Sequence, residues 1–199
     1  IESIGYPCIV KTARGGYDGK GQQTVYSYED LELVAPLFDH SACVAEAFVP
    51  FLKEISVIVQ RNVQGETYCL PIGENIHVNH ILHETIVPAR IEKKTAKLAV
   101  EAAEKIADSL QLVGTLAVEM FVLEDGTVVI NELAPRPHNS GHYSIEACNI
   151  SQFHQHIRAV CGWPLRKPKL WSPSVMVNIL GKHVMPVTNS LSKYPNWSI

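Results

Sequence analysis

The chain has no charge excess of either sign, few cysteines and no long hydrophobic run. Its 199 residues carry 17 Lys and Arg against 20 Asp and Glu, a formal charge of −3. Nothing here offers a broad basic face to nucleic acid or to an anionic membrane, so any anion site must be local. No apolar stretch approaches the roughly 20 residues that a membrane-spanning helix needs. The five cysteines, at 8, 43, 69, 148 and 161, are odd in number and form no CxxC pair. They argue against a disulfide framework or a zinc knuckle and fit reduced thiols in a cytoplasmic protein. The opening IESIGYPCIV lacks an initiator Met and a basic flank, so it reads as the middle of a longer chain rather than as a signal peptide. What remains is an ordinary globular composition, 46% hydrophobic, able to fill one sizeable core or two small ones.

Apolar periodicity predicts an α+β fold. Strands are expected over residues 7–11, 23–28, 43–48, 54–61, 67–72, 115–123, 127–133 and 175–180. A short helix is expected over 30–38 with Asp30 as its N-cap, and a longer one over 94–110 with Ala99, Ala103, Ile106 and Leu110 as its apolar stripe. Ser151 should cap a helix that runs to Val160 and is stopped by Gly162 and Pro164. The end of the chain is rich in Pro and Ser.

Asp125-Gly126 marks a hairpin turn. A two-residue loop there places Glu119 directly opposite Glu132, with Cβ atoms ~4.5–5.5 Å apart, among Leu116, Ala117, Val118, Met120, Phe121 and Val128 to Ile130. Two carboxylates in apolar surroundings need protonation, a basic partner or a cation. Paired carboxylates completed by phosphate oxygens suit Mg²⁺ or Mn²⁺. The alternative is one Glu inside and one solvated, and spacing alone does not choose. Asn131 lies beside the pair.

Gly15 to Gln22, GGYDGKGQ, follows a strand that ends at Lys11. Glycines let backbone N–H groups approach an anion, and flanking lysines add charge. The spacing is neither that of a Walker A loop nor that of a dinucleotide-binding fingerprint. A flexible hairpin tip remains the plain alternative.

Three segments in order, VKTARGGYDGKGQ, EAFVPFLKE and NELAPRPHNSGH, resemble the ATP-grasp carboxylases of the 5-(carboxyamino)imidazole ribonucleotide synthase family. The similarity continues through SIEACNISQFHQHIRAVCGWPL to MVNILG, and PRPHNSGH is its most specific part. The resemblance implies an ATP-grasp fold, with a lid over residues 1–48, a central antiparallel-sheet domain over 49–164 and the start of a small C-terminal β domain over 165–199. It implies that ATP, bicarbonate and 5-aminoimidazole ribonucleotide yield the N-carboxylated ribonucleotide, ADP and phosphate by way of carboxyphosphate.

Carried onto this sequence, Lys11 contacts phosphate, and Gly16, Tyr17, Asp18, Gly19, Lys20, Gly21 and Gln22 form the loop that covers it. Glu46, Ala47, Phe48 and Val49 read adenine, Glu54 holds the ribose hydroxyls and His77 adds a nucleotide contact. Glu119 and Glu132 are the implied metal ligands, with Asn131 beside them. Arg136, His138 and Asn139, with Lys20, form the implied catalytic set. Tyr17, Asp18 and Ser140 join Arg136, His138 and Asn139 around the second substrate. Arg136 suits a carboxyphosphate or phosphate group through paired hydrogen bonds.

This sequence departs from the family in having Ala before Arg14 and Lys at position 20. The family's N-terminal domain and its basic C-terminal segment lie outside these residues, so Mg·ATP binding is expected to outlast carboxylation in the isolated chain. Related readings are a formate-dependent glycinamide ribonucleotide transformylase, a biotin carboxylase, or a nucleotide-binding module without turnover. No nucleic-acid or membrane partner is expected, and pairing of two copies as a homodimer stays open. His77, His80 and His83 alternate faces in a strand, which disfavours a shared zinc. His154 and His156 read as solvated, and Glu101 with Lys105 as a surface pair.

Overall fold

The computed structural model describes residues 1, 3–15, 20–39 and 42–198. They fall into two units, Ile1–Pro50 with Val78–Ile81, and Phe51–His77 with Leu82–Ile199.

In the first unit, alternation in Cys8–Thr12 (β1) turns Cys8 and Val10 inward. This strand lies between Gln22–Val25 (β2) and Cys43–Ala47 (β3), antiparallel to both. Val25 and Val34, the latter on helix Leu31–Phe38 (α1), complete its small core. Asp30 is not the side-chain cap of α1 that the sequence suggests. Its carboxylate accepts from the N–H groups of Tyr26, at 2.8 Å, and Ser27, at 3.2 Å. Those bonds close a 3-10 turn at Tyr28–Asp30, ahead of the helix.

The second unit is built on a seven-stranded sheet. Lys53–Arg61 (β4), Thr67–Cys69 (β5), Gly73–Val78 (β6), Ile81–Val87 (β7), Gly114–Val122 (β8), Val128–Ala134 (β9) and Ser174–Val177 (β10) run in the order β10-β7-β6-β4-β8-β9, with β5 also on β4. Period-two alternation sorts the two central strands, β4 and β8, into two faces. Ile55, Val57, Val59, Leu116, Val118, Met120 and Val122 pack on one face against Ala99, Ala103 and Ala107 of Lys93–Ser109 (α2). Small alanines at four-residue spacing leave room for the helix to lie close to the sheet. Leu110, expected in that stripe, is 58% exposed just beyond the helix end.

The opposite face carries Ile58 and Ala117 beneath Tyr143, Ala147 and Cys148, the last two ending or following Ser144–Ala147 (α3). Glu54, Ser56, Glu119 and Phe121 share this face by alternation, since Glu54 pairs with Phe121 and Ser56 with Glu119. The helix Gln152–Val160 (α4) is capped as expected: the Ser151 hydroxyl accepts from the His154 N–H at 3.2 Å.

Four local readings needed the tertiary structure. Strands β6 and β7 are joined through Asn79 and His80, both with positive φ, at 51° and 64°, a turn that carries no glycine signal. Val184–Ser190 (α5) is helical despite Pro186, which sits in the first turn, where a missing N–H is tolerated. His156 is not simply solvated. Its Nδ1 accepts from the Thr115 N–H at 3.1 Å, and its ring covers Gly114. On α2, Glu101 pairs with Lys97, at 3.6 Å, rather than with Lys105.

Candidate functional site

The β8–β9 hairpin brings Glu119 opposite Glu132, the pairing expected from sequence, but by a different path. The Leu123 N–H bonds Thr127 O, so the loop holds three residues, Glu124 to Gly126, and Gly126 takes φ +81°. A regular ladder from that turn would set Glu119 against Asn131. A bulge between Glu119 and Met120 instead leaves Asn131 as the extra residue and restores the Glu119–Glu132 pair.

The two carboxylates differ in environment. The Glu119 side chain is 16% exposed, whereas Glu132 is exposed. Burial, and then the Glu132 charge, push the Glu119 carboxyl up to about 7. Nearby, the His77 ring contacts the Glu54 carboxylate through Nδ1. That carboxylate holds the imidazole pKa above its ordinary value against burial, with smaller help from Glu119 and Glu132. Phe121, the cross-strand neighbour of Glu54, stacks on Phe51 at 4.4 Å.

The segment after β9 approaches the same carboxylate. His138 Nδ1 lies 3.8 Å from Glu119 Oε1 and 2.9 Å from the Ser140 hydroxyl. Burial first, and then the Arg136 charge, lower the His138 pKa to about 4, so the ring is neutral at pH 7. Arg136 Nη1 donates to Pro137 O at 3.1 Å, and Arg136 itself is exposed. Asn139 Oδ1 accepts from the Ser140 N–H at 3.0 Å, and Ser140 is fully buried. The second unit thus gathers Glu54, His77, Glu119, Glu132, Arg136, His138, Asn139 and Ser140, with Asn131 at the bulge.

The donor set fits a hard divalent cation. An opposed carboxylate pair, one member disfavoured as an anion, gains from positive charge. Among the described residues, no group of three or more His, Cys, Asp and Glu forms a metal cage. Glu119 and Glu132 would therefore need phosphate or water oxygens to complete such a site.

In the first unit, Lys11 Nζ meets Glu46 Oε2 at 2.6 Å. Gly21 takes φ +73°, and its carbonyl accepts from the Thr12 N–H at 2.8 Å, while Gln22 begins β2 opposite Lys11. Lys20 is exposed, ahead of that strand. Ala47 and Phe48 are exposed and Val49 is half-buried; the Phe48 N–H is taken by Pro7 O at 3.2 Å. Gly16, Tyr17, Asp18 and Gly19 lie outside the described residues.

Sequence reasoning missed two buried anchors in the second unit, of which Gln152 supports a site residue. Glu74, 5% exposed, holds Lys53 at 3.1 Å and Arg90 at 2.5 Å. Gln152, fully buried on α4, bonds both backbone polar groups of His138. Neither has a local pattern signal; the glycine at 141 is the nearest clue to Gln152.

The ATP-grasp domain family matches residues 1–153. The N5-carboxyaminoimidazole ribonucleotide synthase of Bacillus subtilis strain 168 is 53% identical over 184 residues, 92% of this chain and 48% of the relative. A solved N5-carboxyaminoimidazole ribonucleotide synthetase in its ADP complex superposes with a TM-score of 0.93 at 53% identity, over 98% of this chain and 52% of that one. An Aspergillus clavatus synthase, solved with ADP and 5-aminoimidazole ribonucleotide, has a TM-score of 0.86 at 31% identity over 96% of this chain and 50% of its own. The chain spans about half the length of the curated relatives it matches. With three quarters of its residues inside the domain match and this sheet architecture beneath them, the chain belongs to the ATP-grasp family.

Proposed function

We propose that this chain is the nucleotide- and metal-binding part of a cytoplasmic, ADP-forming carboxylase that attaches bicarbonate carbon to the amine of 5-aminoimidazole ribonucleotide. The observation that carries this reading is the opposed Glu119–Glu132 pair with the Arg136–Ser140 segment against it in the same unit. Relatives that match nearly the whole chain bear the name of that activity.

In this reading residues 1–48 form the lid, 49–164 the central domain and 165–199 the start of a C-terminal β domain. Lys11 and the loop from Gly16 to Gln22 hold phosphate, Glu46 to Val49 hold the base, and Glu54 and His77 hold the ribose side of ATP. Glu119 and Glu132, with Asn131, would hold Mg²⁺ or Mn²⁺, whose charge offsets that of the phosphates. Arg136 and Lys20 bring positive charge to a carboxyphosphate and its transferring phosphoryl group. His138, neutral and fixed by Ser140, can hydrogen-bond the ribonucleotide without adding charge. Asn139, Tyr17 and Asp18 complete that side, keeping water from the reactive acyl phosphate. A bicarbonate oxygen attacks the γ-phosphorus and ADP leaves as the β–γ P–O bond breaks; the amine then attacks the carboxyl carbon, the C–O bond to phosphate breaks, and the departing phosphate takes the amine proton.

The test places these residues in the matching stretch of the Bacillus subtilis relative and supplies ATP, 5-aminoimidazole ribonucleotide and labelled bicarbonate. Label should enter the ribonucleotide together with ribonucleotide-dependent ADP release. Incorporation from labelled formate instead, or Mg·ATP binding with no ribonucleotide dependence, would overturn the proposal.

A further inference from the structure

The PRPHNSGH segment has no regular hydrogen-bond ladder to hold it once β9 has ended at Ala134. Something else must fix His138, because a ring displaced by an ångström would lose its approach to Glu119. Within the segment, the ring meets the Ser140 hydroxyl at 2.9 Å and the His138 carbonyl accepts the Gly141 N–H at 3.0 Å; from outside it comes a further clamp. The His138 N–H donates to Gln152 Oε1 at 2.9 Å, and Gln152 Nε2 donates to His138 O at 2.6 Å. A single side-chain amide thus pairs with both polar groups of one backbone residue, 14 positions earlier in the chain.

Three features show that the clamp is built. Gln152 is fully buried, where an amide without partners would be costly. Its backbone N–H is anchored at 2.9 Å on the Ser144 hydroxyl, which in turn donates to Gly141 O at 2.6 Å. Gly141 makes room: a Cβ there would lie 2.6 Å from Gln152 Oε1 and 2.8 Å from its Cδ. The glycine of NSGH, which has no positive φ to explain it, is needed because the Gln152 amide lies flat against it.

We infer that Gln152 is a positioning residue for the reaction, fixing the His138 backbone and so the ring beside Glu119, with Gly141 and Ser144 as its seat. The functional half of this inference rests on the role given to His138 above. The same helix provides a control. Gln155, also fully buried, clamps the Arg166 backbone in the same way, its Nε2 donating to Arg166 O at 2.8 Å and its Oε1 accepting the Arg166 N–H at 3.1 Å. Arg166 belongs to no part of the site.

The experiment compares Gln152→Met, Gly141→Ala and Gln155→Met. In the 199-residue chain, amide hydrogen exchange at His138 should speed up about tenfold or more in the first two, with the β4 and β8 amides unchanged. Gln155→Met should move the Arg166 amide and leave His138 alone. In the carboxylation assay above, Gln152→Met should lower kcat/KM for the ribonucleotide by about tenfold to a hundredfold with KM for ATP unchanged. His138 exchange that does not change, or that changes equally in Gln155→Met, overturns the positioning. Faster exchange with unchanged ribonucleotide kinetics overturns its part in the reaction. Failure of the unsubstituted sequence in the assay counts against the functional reading alone, and the exchange result still decides the clamp.

Discussion

Glu119→Gln should make the nucleotide-free protein more stable at pH 8 while removing the Mg²⁺ dependence that the proposed function gives its nucleotide binding. The first half follows from burial. The folded protein holds this carboxyl at about 7 against an ordinary 4.5, so the fold favours the protonated form. An acid whose pKa is raised by folding leaves stability intact below its unfolded pKa and lowers it as pH rises through the folded value. The window here is pH 4.5 to 7, and the upper limit of the effect is about 3 kcal/mol. A neutral amide of the same shape escapes that loss, so the variant should gain at pH 8 and gain nothing at pH 4. The second half follows from ligation, because an amide oxygen is a weak partner for a divalent cation beside a single remaining carboxylate. Denaturant unfolding at the two pH values, with ATP titrations with and without Mg²⁺, checks both halves. A variant destabilised at both pH values with unaltered Mg·ATP affinity would show that the pair is structural.

Arg90→Leu should destabilise the protein by about 2 kcal/mol at neutral pH, because it removes the guanidinium hydrogen bonds from a buried carboxylate and leaves it only Lys53 and the backbone N–H of residue 90. Glu74 is nearly inaccessible and receives the Arg90 Nε at 3.1 Å, Nη2 at 2.5 Å and backbone N–H at 3.0 Å, besides Lys53 Nζ at 3.1 Å. Burial pushes its carboxyl up, but the Arg90 hydrogen bonds and then Lys53 outweigh that and hold it at about 2. The sign is opposite to that of Glu119. A depressed carboxyl contributes stability that is complete above its unfolded pKa of 4.5 and is lost as pH falls through 2. The penalty for Arg90→Leu should therefore shrink in acid, and the natural chain should lose stability between pH 4.5 and 2. Adding Glu74→Gln to Arg90→Leu should remove the remaining pH dependence of this cluster, since no carboxyl then titrates at position 74. Urea unfolding of the natural chain and the two variants at pH 7 and pH 3 provides the measurement. A cost under 0.5 kcal/mol at pH 7, ordinary for surface changes, would mark the cluster as solvated.

The site was legible where its residues are close in sequence and failed to be where they are not. Glu119 and Glu132 could be paired from one hairpin, although the inferred loop was a residue too short and the bulge was unseen, two errors that cancel. Lys11, Glu54 and the PRPHNSGH segment came through resemblance rather than through any period. Strands β6 and β7 were only partly read, because the Asn79-His80 turn reaches positive φ without a glycine to mark it. The clamps made by Glu74 and Gln152 join positions 14 to 21 residues apart, and a buried amide looks the same in sequence as a solvated one. The helix α2 was legible because its apolar stripe is itself periodic, and only its last turn departed.

The extra residue at Asn131 also bears on how the hairpin can change length through descent. It separates two stretches of ladder: Ala117–Ala134, Val118–Leu133 and Glu119–Glu132 on one side, Met120–Ile130 to Val122–Val128 on the other. If the tip lost one residue and kept a three-residue loop, the outer stretch could slide by one step and Asn131 would flatten into the ladder, leaving the carboxylates opposed. A one-residue deletion at the tip is thereby uncoupled from the pairing of the two carboxylates. A deletion between Glu132 and Ala134 has no such slack, because it would turn one carboxylate to the other side of the sheet.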